Sequence, residues 1–264
     1  MRNTPLLWCA ALLIYGFLYI PLAVVVLFSF NNSELNAGWV GFTTNWYSRL
    51  WQDQDMLIAA SNSLFIALLS ALIATTLGTM AGIAMYRYRL RLLSVLILAP
   101  VAMPEILLGV ALLLMFRQVL DLTLGFWSIL ISHITFSIGA AAIVVQSRLD
   151  GIEKSVFEAA RDLGAGPWQS YFSVTLPLLA PAIVAGFLIA FTLSIDDFVI
   201  TFFNAGVGVK TLPLQVYSMI KVAVTPEVNA ISSMLMLLTI SLITLASRFL
   251  PTSMQTQTSV FAKV

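Results

Sequence analysis

The chain has 264 residues, 60% of them hydrophobic and 9% charged, with a mean hydropathy of +0.97. Soluble domains carry roughly 45–50% apolar and about 25% charged residues, so this composition excludes both a water-facing globular surface and disorder. The net charge of +1, from 13 basic and 12 acidic residues, leaves no footprint for nucleic acid. One cysteine, Cys9, and one histidine, His133, exclude an internal disulfide framework and a cysteine- or histidine-rich metal site. What remains is a polytopic protein of the lipid bilayer that works through surfaces and cavities.

A membrane-crossing helix needs about 20 mostly apolar residues. Six runs qualify: about Leu6–Phe30, Leu57–Tyr86, Leu92–Phe116, Leu122–Val145, Leu178–Phe203 and Val228–Leu250. The first is too long for a signal-peptide core and ends in Phe28-Ser-Phe-Asn-Asn32 without a small-residue cleavage site, so it reads as a retained helix. The spans leave no room for a soluble domain, and 1–264 is expected to be a single membrane domain. Lysine and arginine set the orientation. With the N-terminus in the cytoplasm, that side holds Arg2, Arg87, Arg89, Arg91, Arg148, Lys154, Arg161, Arg248 and Lys263, against Arg49, Arg117, Lys210 and Lys221 outside. Both termini are therefore placed in the cytoplasm. In the outer loop after the first span, Trp39, Phe42, Trp46, Tyr47 and Trp51 fit an interfacial aromatic belt or a cation-binding vestibule. Gly78-Thr-Met-Ala-Gly82 is a small-residue face for close helix packing. The tail from Pro251 is rich in Thr, Ser and Gln and reads as loose.

The cytoplasmic segment 147–177 differs from the other loops. Ser155-Val-Phe-Glu158 fits a capping box, and Val156, Phe157, Ala160 and Leu163 then form an apolar stripe at helical spacing. Gly164 suits the left-handed position that ends a helix. Pro167 suits the first turn of a second short helix, expected to stop before Pro177. Physics alone leaves two uses open, an amphipathic helix on the lipid surface or a docking element for another protein.

The run Glu158-Ala-Ala-Arg-Asp-Leu-Gly164 followed by Val174-Thr-Leu-Pro177 resembles the EAA loop of binding-protein-dependent ABC importer permeases. The family pattern is Glu-Ala-Ala, three residues, Gly, nine residues, Ile-x-Leu-Pro, and the one departure is Val174 at the Ile position. The resemblance implies an all-α integral membrane protein with six transmembrane helices in the type I importer permease fold. It implies that Glu158, Ala159, Ala160, Asp162, Gly164, Leu176 and Pro177 couple to a separate ATPase. This chain has no Gly-x-x-x-x-Gly-Lys-[Ser/Thr] phosphate loop, so ATP and Mg²⁺ belong to that partner and no cofactor is expected here. Ser29-Phe-Asn-Asn-Ser33, Gly41-Phe-Thr-Thr-Asn-Trp-Tyr47, Phe191-Thr-Leu-Ser-Ile-Asp-Asp197 and Tyr217–Asn229 resemble the C-type permeases of spermidine/putrescine importers. That likeness implies four partners besides the bilayer: a related B-type permease, two ATPase subunits and a periplasmic polyamine-binding protein.

Glu105, Asp196 and Asp197 lie inside expected spans. Facing lipid near the bilayer centre would cost each roughly 2.5–3.5 kcal/mol, so a water-lined cavity is expected. No clear basic partner lies within the spans, and an acid-lined passage without its own counter-ion suits a cationic substrate. Pro100 and Pro104 free backbone carbonyls beside Glu105; the family often carries Asp at this position. Asp196 and Asp197 leave one helix about 100° apart and are expected to diverge, with a structural acceptor as the alternative for one of them. His133 with Thr135 reads as a hydrogen-bonded helix contact, with a proton relay as the alternative. Glu227, after Thr225-Pro226, reads as a first-turn acid favoured by the helix dipole. A secondary transporter would show paired broken helices in a wider internal repeat. Only a Pro-x-x-x-Pro shared by the third and fifth runs meets that expectation, and an intramembrane enzyme lacks a nucleophile–base set.

Overall fold

The computed structural model describes residues 4–34, 38–88 and 91–249. Arg2, Arg89, Lys263 and the tail from Pro251 lie outside them. Among the described residues the regular structure is helical, with two π segments, Met115–Val119 and Tyr171–Thr175, besides one isolated antiparallel bridge, Asn31 to Phe42. The helices are α1 (Thr4–Phe28), α2 (Asn45–Leu50), α3 (Gln54–Tyr88), α4 (Arg91–Ala102), α5 (Glu105–Leu114), α6 (Phe126–Asp150), α7 (Lys154–Asp162), α8 (Pro167–Ser170), α9 (Leu176–Ile195), α10 (Val199–Asn204), α11 (Leu212–Val222) and α12 (Pro226–Phe249). Five helical runs are long and apolar enough to cross a membrane, and there are six if α4 and the run Glu105–Val119, bent by 109° from it, count as one broken span.

That bend corrects the expectation of one third helix over Leu92–Phe116. Pro104 has an extended ψ of 132° and stands outside α5 as its N-cap. It has no N–H to continue α4, and its ring disfavours helical geometry at Met103. The fifth run is also redrawn. Instead of a short helix stopping before Pro177, α8 passes through a π turn, Tyr171–Thr175, directly into α9, and the continuous run is Pro167–Ile195. A π turn leaves a carbonyl without an intrahelical donor, so the N–H that Pro177 lacks at the second position of α9 is not missed. At its other end α9 stops at Ile195, and the expected stretch to Phe203 is broken by residues 196–198 before α10.

The chain forms two compact units. In the first, Met1–Ala59 with Leu212–Leu238, the outer loop is organised by Asn31. Its side chain donates to Gly38 O (2.7 Å) and accepts from Val40 N (2.8 Å), while its carbonyl accepts from Trp46 Nε1 (2.8 Å). Phe30 stacks on Phe42 at 5.3 Å, and the Arg49 guanidinium lies 4.9 Å over the Trp46 ring. Trp46 thus already carries a cation of its own chain. Trp39, Phe42 and Trp51 stay exposed.

In the second unit, Ala60–Thr211 with Thr239–Val264, α6 is the axis and packs on α4 and α9. Glycine permits the closest approaches. A Cβ at Gly78 would meet Ala141 Cβ at 2.7 Å and Ile138 O at 2.9 Å; one at Gly82 would meet Ala142 O at 2.9 Å. The small face of α3 is therefore seated on α6. On the opposite side of the bundle, a Cβ at Gly139 would meet Ile97 O in α4 at 2.7 Å. Two apolar clusters close the ends, Leu108–Leu112–Phe116–Ile200 at one and Val145–Leu149–Leu179 at the other.

Gly78→Val places two methyl groups against backbone that cannot yield. Overpacking of this kind costs about 1–3 kcal/mol, so the purified variant should unfold at a lower temperature in detergent. Gly166→Ala, at a site with nothing within 4 Å, should unfold with the parent. Equal unfolding temperatures for all three would show that α3 is not held on α6 through Gly78.

Candidate functional site

The two chain breaks meet at one cavity of about 490 Å³, whose polar lining is Glu105, Thr192, Asp196, Asp197 and Thr239. Its walls hold no lysine or arginine among the described residues. Glu105 is the first residue of α5, directly after the Pro104 break, and is exposed. A carboxylate in a first turn is favoured by the helix dipole. Asp196 caps the C-terminal end of α9, is exposed, and accepts from Thr239 Oγ1 in α12, which lies 2.9 and 3.0 Å from its two oxygens.

Asp197 turns the other way. Its side chain is 5% exposed, and its carboxylate caps α10, accepting from Ile200 N (3.3 Å), Thr201 N (2.7 Å) and Thr201 Oγ1 (2.7 Å). His133 Nε2, in α6, lies 3.2 Å from Asp197 Oδ2 and 2.9 Å from Thr201 Oγ1. The same ring's Nδ1 lies 2.6 Å from Ser194 Oγ, which in turn accepts from Ser70 Oγ of α3 at 3.0 Å. His133 is thus a buried hydrogen-bonded contact between helices. Thr135 is not its partner, since that hydroxyl donates to Ile131 O in its own helix at 2.8 Å. The sequence reading missed Ser70, Thr201 and Thr239, whose hydroxyls carry no signal of their partners until the helices are placed.

In the segment between α6 and α9, Gly164 has φ +81°. Gly164 N donates to Arg161 O (2.8 Å) and Ala165 N to Ala160 O (3.0 Å), the paired bonds of a Schellman motif. The expected capping box is absent. Helix α7 starts two residues earlier, with Glu153 as N-cap, so Ser155 is already inside the first turn and its hydroxyl donates to Glu153 Oε2 at 3.1 Å. The expected stripe also divides. Phe157 packs on the Val145–Leu149–Leu179 cluster and Ala160 is buried, whereas Val156 and Leu163 point out, Leu163 being 88% exposed. Glu158, Ala159 and Asp162 are exposed on the same helix. Leu176 and the exposed Pro177 begin α9.

Residues 74–251 match the model of the family described as the binding-protein-dependent transport system inner membrane component. The chain belongs to that family. It is a multi-pass inner-membrane transport component, not an enzyme. It is 42% identical over 233 residues to the spermidine/putrescine transport system permease protein PotC of Escherichia coli (strain K12), covering 87% of this chain and 88% of that one. It is 39% identical over 250 residues to the putrescine transport system permease protein PotI of the same organism, covering 89% of each. A bacterial ABC transporter involved in import of the acidic polysaccharide alginate superposes with a TM-score of 0.69 at 16% identity, covering 92% of this chain and 93% of that one. At that identity the likeness is one of fold, the all-α type I importer permease architecture expected from the sequence.

The two adjacent aspartates should separate in a stability measurement. Asp197→Ala strips a buried acceptor from three donors and the imidazole, a change of about 1–3 kcal/mol per group left unsatisfied, and should lower the unfolding temperature clearly. Asp196→Ala removes an exposed carboxylate and should shift stability by less than about 0.5 kcal/mol. Equal shifts in thermal unfolding would contradict the divergent geometry.

Proposed function

We propose that this chain is the permease subunit of an ATP-driven polyamine importer, forming half of a heterodimeric pathway with a related B-type permease. The carrying observation is that Glu105 and Asp196, from two separately broken spans, face one cavity without a cationic side chain in its walls. Two carboxylates lining such a cavity suit the ammonium groups of a flexible diamine or triamine, held by charge more than by shape. The relatives' names agree with that chemistry. In this reading Glu105 and Asp196 contact the substrate, and Asp197 shapes the wall beside them. A periplasmic polyamine-binding protein delivers the substrate. Two ATPase subunits hold ATP and Mg²⁺, and one of them docks on the exposed face of α7 at Glu158, Ala159 and Asp162. Their closure reaches α9 through the Gly164 elbow and the Leu176-Pro177 start of that helix. Both termini lie in the cytoplasm, where Arg87, Arg91, Arg148, Lys154, Arg161 and Arg248 concentrate positive charge.

A charged hydrogen bond is worth about 1.5–3 kcal/mol, and 1.4 kcal/mol is tenfold. Glu105→Gln and Asp196→Asn should therefore each lower radiolabelled polyamine uptake roughly tenfold or more at matched membrane amounts. Glu105→Asp retains charge and should lose far less, with a changed preference between putrescine and spermidine. Parental uptake by both neutral variants would overturn the substrate assignment.

Reconstitution tests the assembly. Proteoliposomes with all four protein components should show uptake, and those lacking the second permease should show none. Gly164→Val, which places a β-branched residue at φ +81°, should abolish uptake while ATP hydrolysis persists. Coupled transport by that variant would count against the docking role of α7.

A further inference from the structure

The break that presents Asp196 is held by very little backbone. Asp196 N reaches Thr192 O at 3.3 Å, and the chain regains a helix only at Val199. Its direction depends on what anchors the residues on either side. Ser194, two residues before, and Asp197, one residue after, are both bonded to the same imidazole. The ring is 1% exposed and comes from α6, the axis of the unit. At the far end of α10, Ser128 of α6 also donates to Asn204 O at 2.7 Å, so that short helix is tied to α6 at both ends.

These groups form one connected chain. Ser70 Oγ, 3.2 Å from Ala67 O, donates to Ser194 Oγ at 3.0 Å, and Ser194 Oγ lies 2.6 Å from His133 Nδ1. Nε2 faces Thr201 Oγ1 and Asp197 Oδ2, and Thr201 gives its own proton to that carboxylate. The two ring nitrogens thus reach both sides of the break at once, Nδ1 toward Ser194 and Nε2 toward Asp197 and Thr201.

We propose that His133 is a positioning residue: it bridges the break between α9 and α10 through Ser194 on one side and Asp197 with Thr201 on the other, and so directs the Asp196 carboxylate into the cavity. Its functional consequence rests on the reading of Asp196 as an amine contact, while its geometric claim does not. The Nε2 side is the decisive one, because Asp197 is bonded covalently to Asp196 and also starts α10.

The test uses the assembled importer in proteoliposomes, with Cys9→Ser to remove the native thiol and Asp196→Cys as the reporter. The measured quantity is the rate at which a cationic methanethiosulfonate reagent labels position 196. His133→Phe keeps ring volume and loses every hydrogen bond, and should change that rate roughly tenfold. His133→Gln returns an amide to the Nε2 position and should stay within about threefold of the parent. In the Asp196-intact protein, polyamine uptake should follow the same order, low for Phe and largely restored for Gln. Labelling by the Phe variant at the parental rate, or a Gln variant no closer to the parent than Phe, would overturn the proposal and leave His133 as a space-filling residue. Should the Phe variant not reach the membrane, Thr201→Val removes the hydroxyl 2.9 Å from Nε2 at nearly constant volume. A labelling rate shifted by several-fold supports the clamp, and an unshifted rate refutes it. Parental uptake by Asp196→Asn would instead defeat the substrate reading, and the labelling rates would still decide whether His133 sets the position of residue 196.

Discussion

A carboxylate facing hydrocarbon costs roughly 2.5–3.5 kcal/mol on an insertion scale, and the arrangement of the broken spans follows from avoiding that cost. Irregular backbone at membrane depth is tolerated only where it is buried in protein or lines a cavity. Both requirements are met at the same places. Pro104 interrupts one span and Glu105 follows it; α9 stops at Ile195 and Asp196 follows it. Residues from each break and the acid beside it line one cavity. Asp197 avoids lipid differently, by satisfying the first N–H groups of α10 and an imidazole.

The helix α6 makes this arrangement stable. Its glycine Gly139 lets α4 come to backbone contact, its Ala141 and Ala142 receive the small face of α3, and its Ser128 and His133 hold α10. Interhelical hydrogen bonds and small-residue contacts are what associate helices in a solvent as apolar as their side chains. The same helix therefore carries packing where residues are small and polar fixation where they are not.

Much of this was legible in the sequence because it is local. The apolar runs, the left-handed Gly164 and Pro167 opening a helix depend on a few neighbouring residues, and the structure keeps them, with the third run bent at Pro104 and the fifth interrupted at residues 196–198. Asp196 and Asp197 diverge as a continuous helix would have made them, although α9 stops at Ile195 and both lie in the break after it. What could not be read depends on partners distant in the chain. Thr239 lies 43 positions from Asp196, and Thr201 lies 68 positions from His133. The misread features at Ser155 and Pro177 are of another kind. Each has two local solutions of similar energy, a cap at residue 153 or at 155, a stop or a π turn before proline, and packing chose between them. For α7 the choice accompanies Phe157 docking on the Val145–Leu149–Leu179 cluster.

That docking gives the α7 loop and the acid cavity a common mechanical element. The helix from Pro167 to Ile195 is continuous for 29 residues, roughly 40 Å at 1.5 Å per residue, against about 30 Å of hydrocarbon. One end follows the Gly164 elbow; the other is the break that presents Asp196. Helix α7 meets the base of this helix through Phe157, which packs on the cluster that includes Leu179, and through the elbow itself. Rigid rotation of a helix this long about its base would move its far end most, and the backbone there is already interrupted. Residues 196 and 197 are held at that break by side-chain bonds to Thr239, Thr201 and His133 rather than by a helical ladder, so their direction is set by neighbouring helices and not by α9 alone.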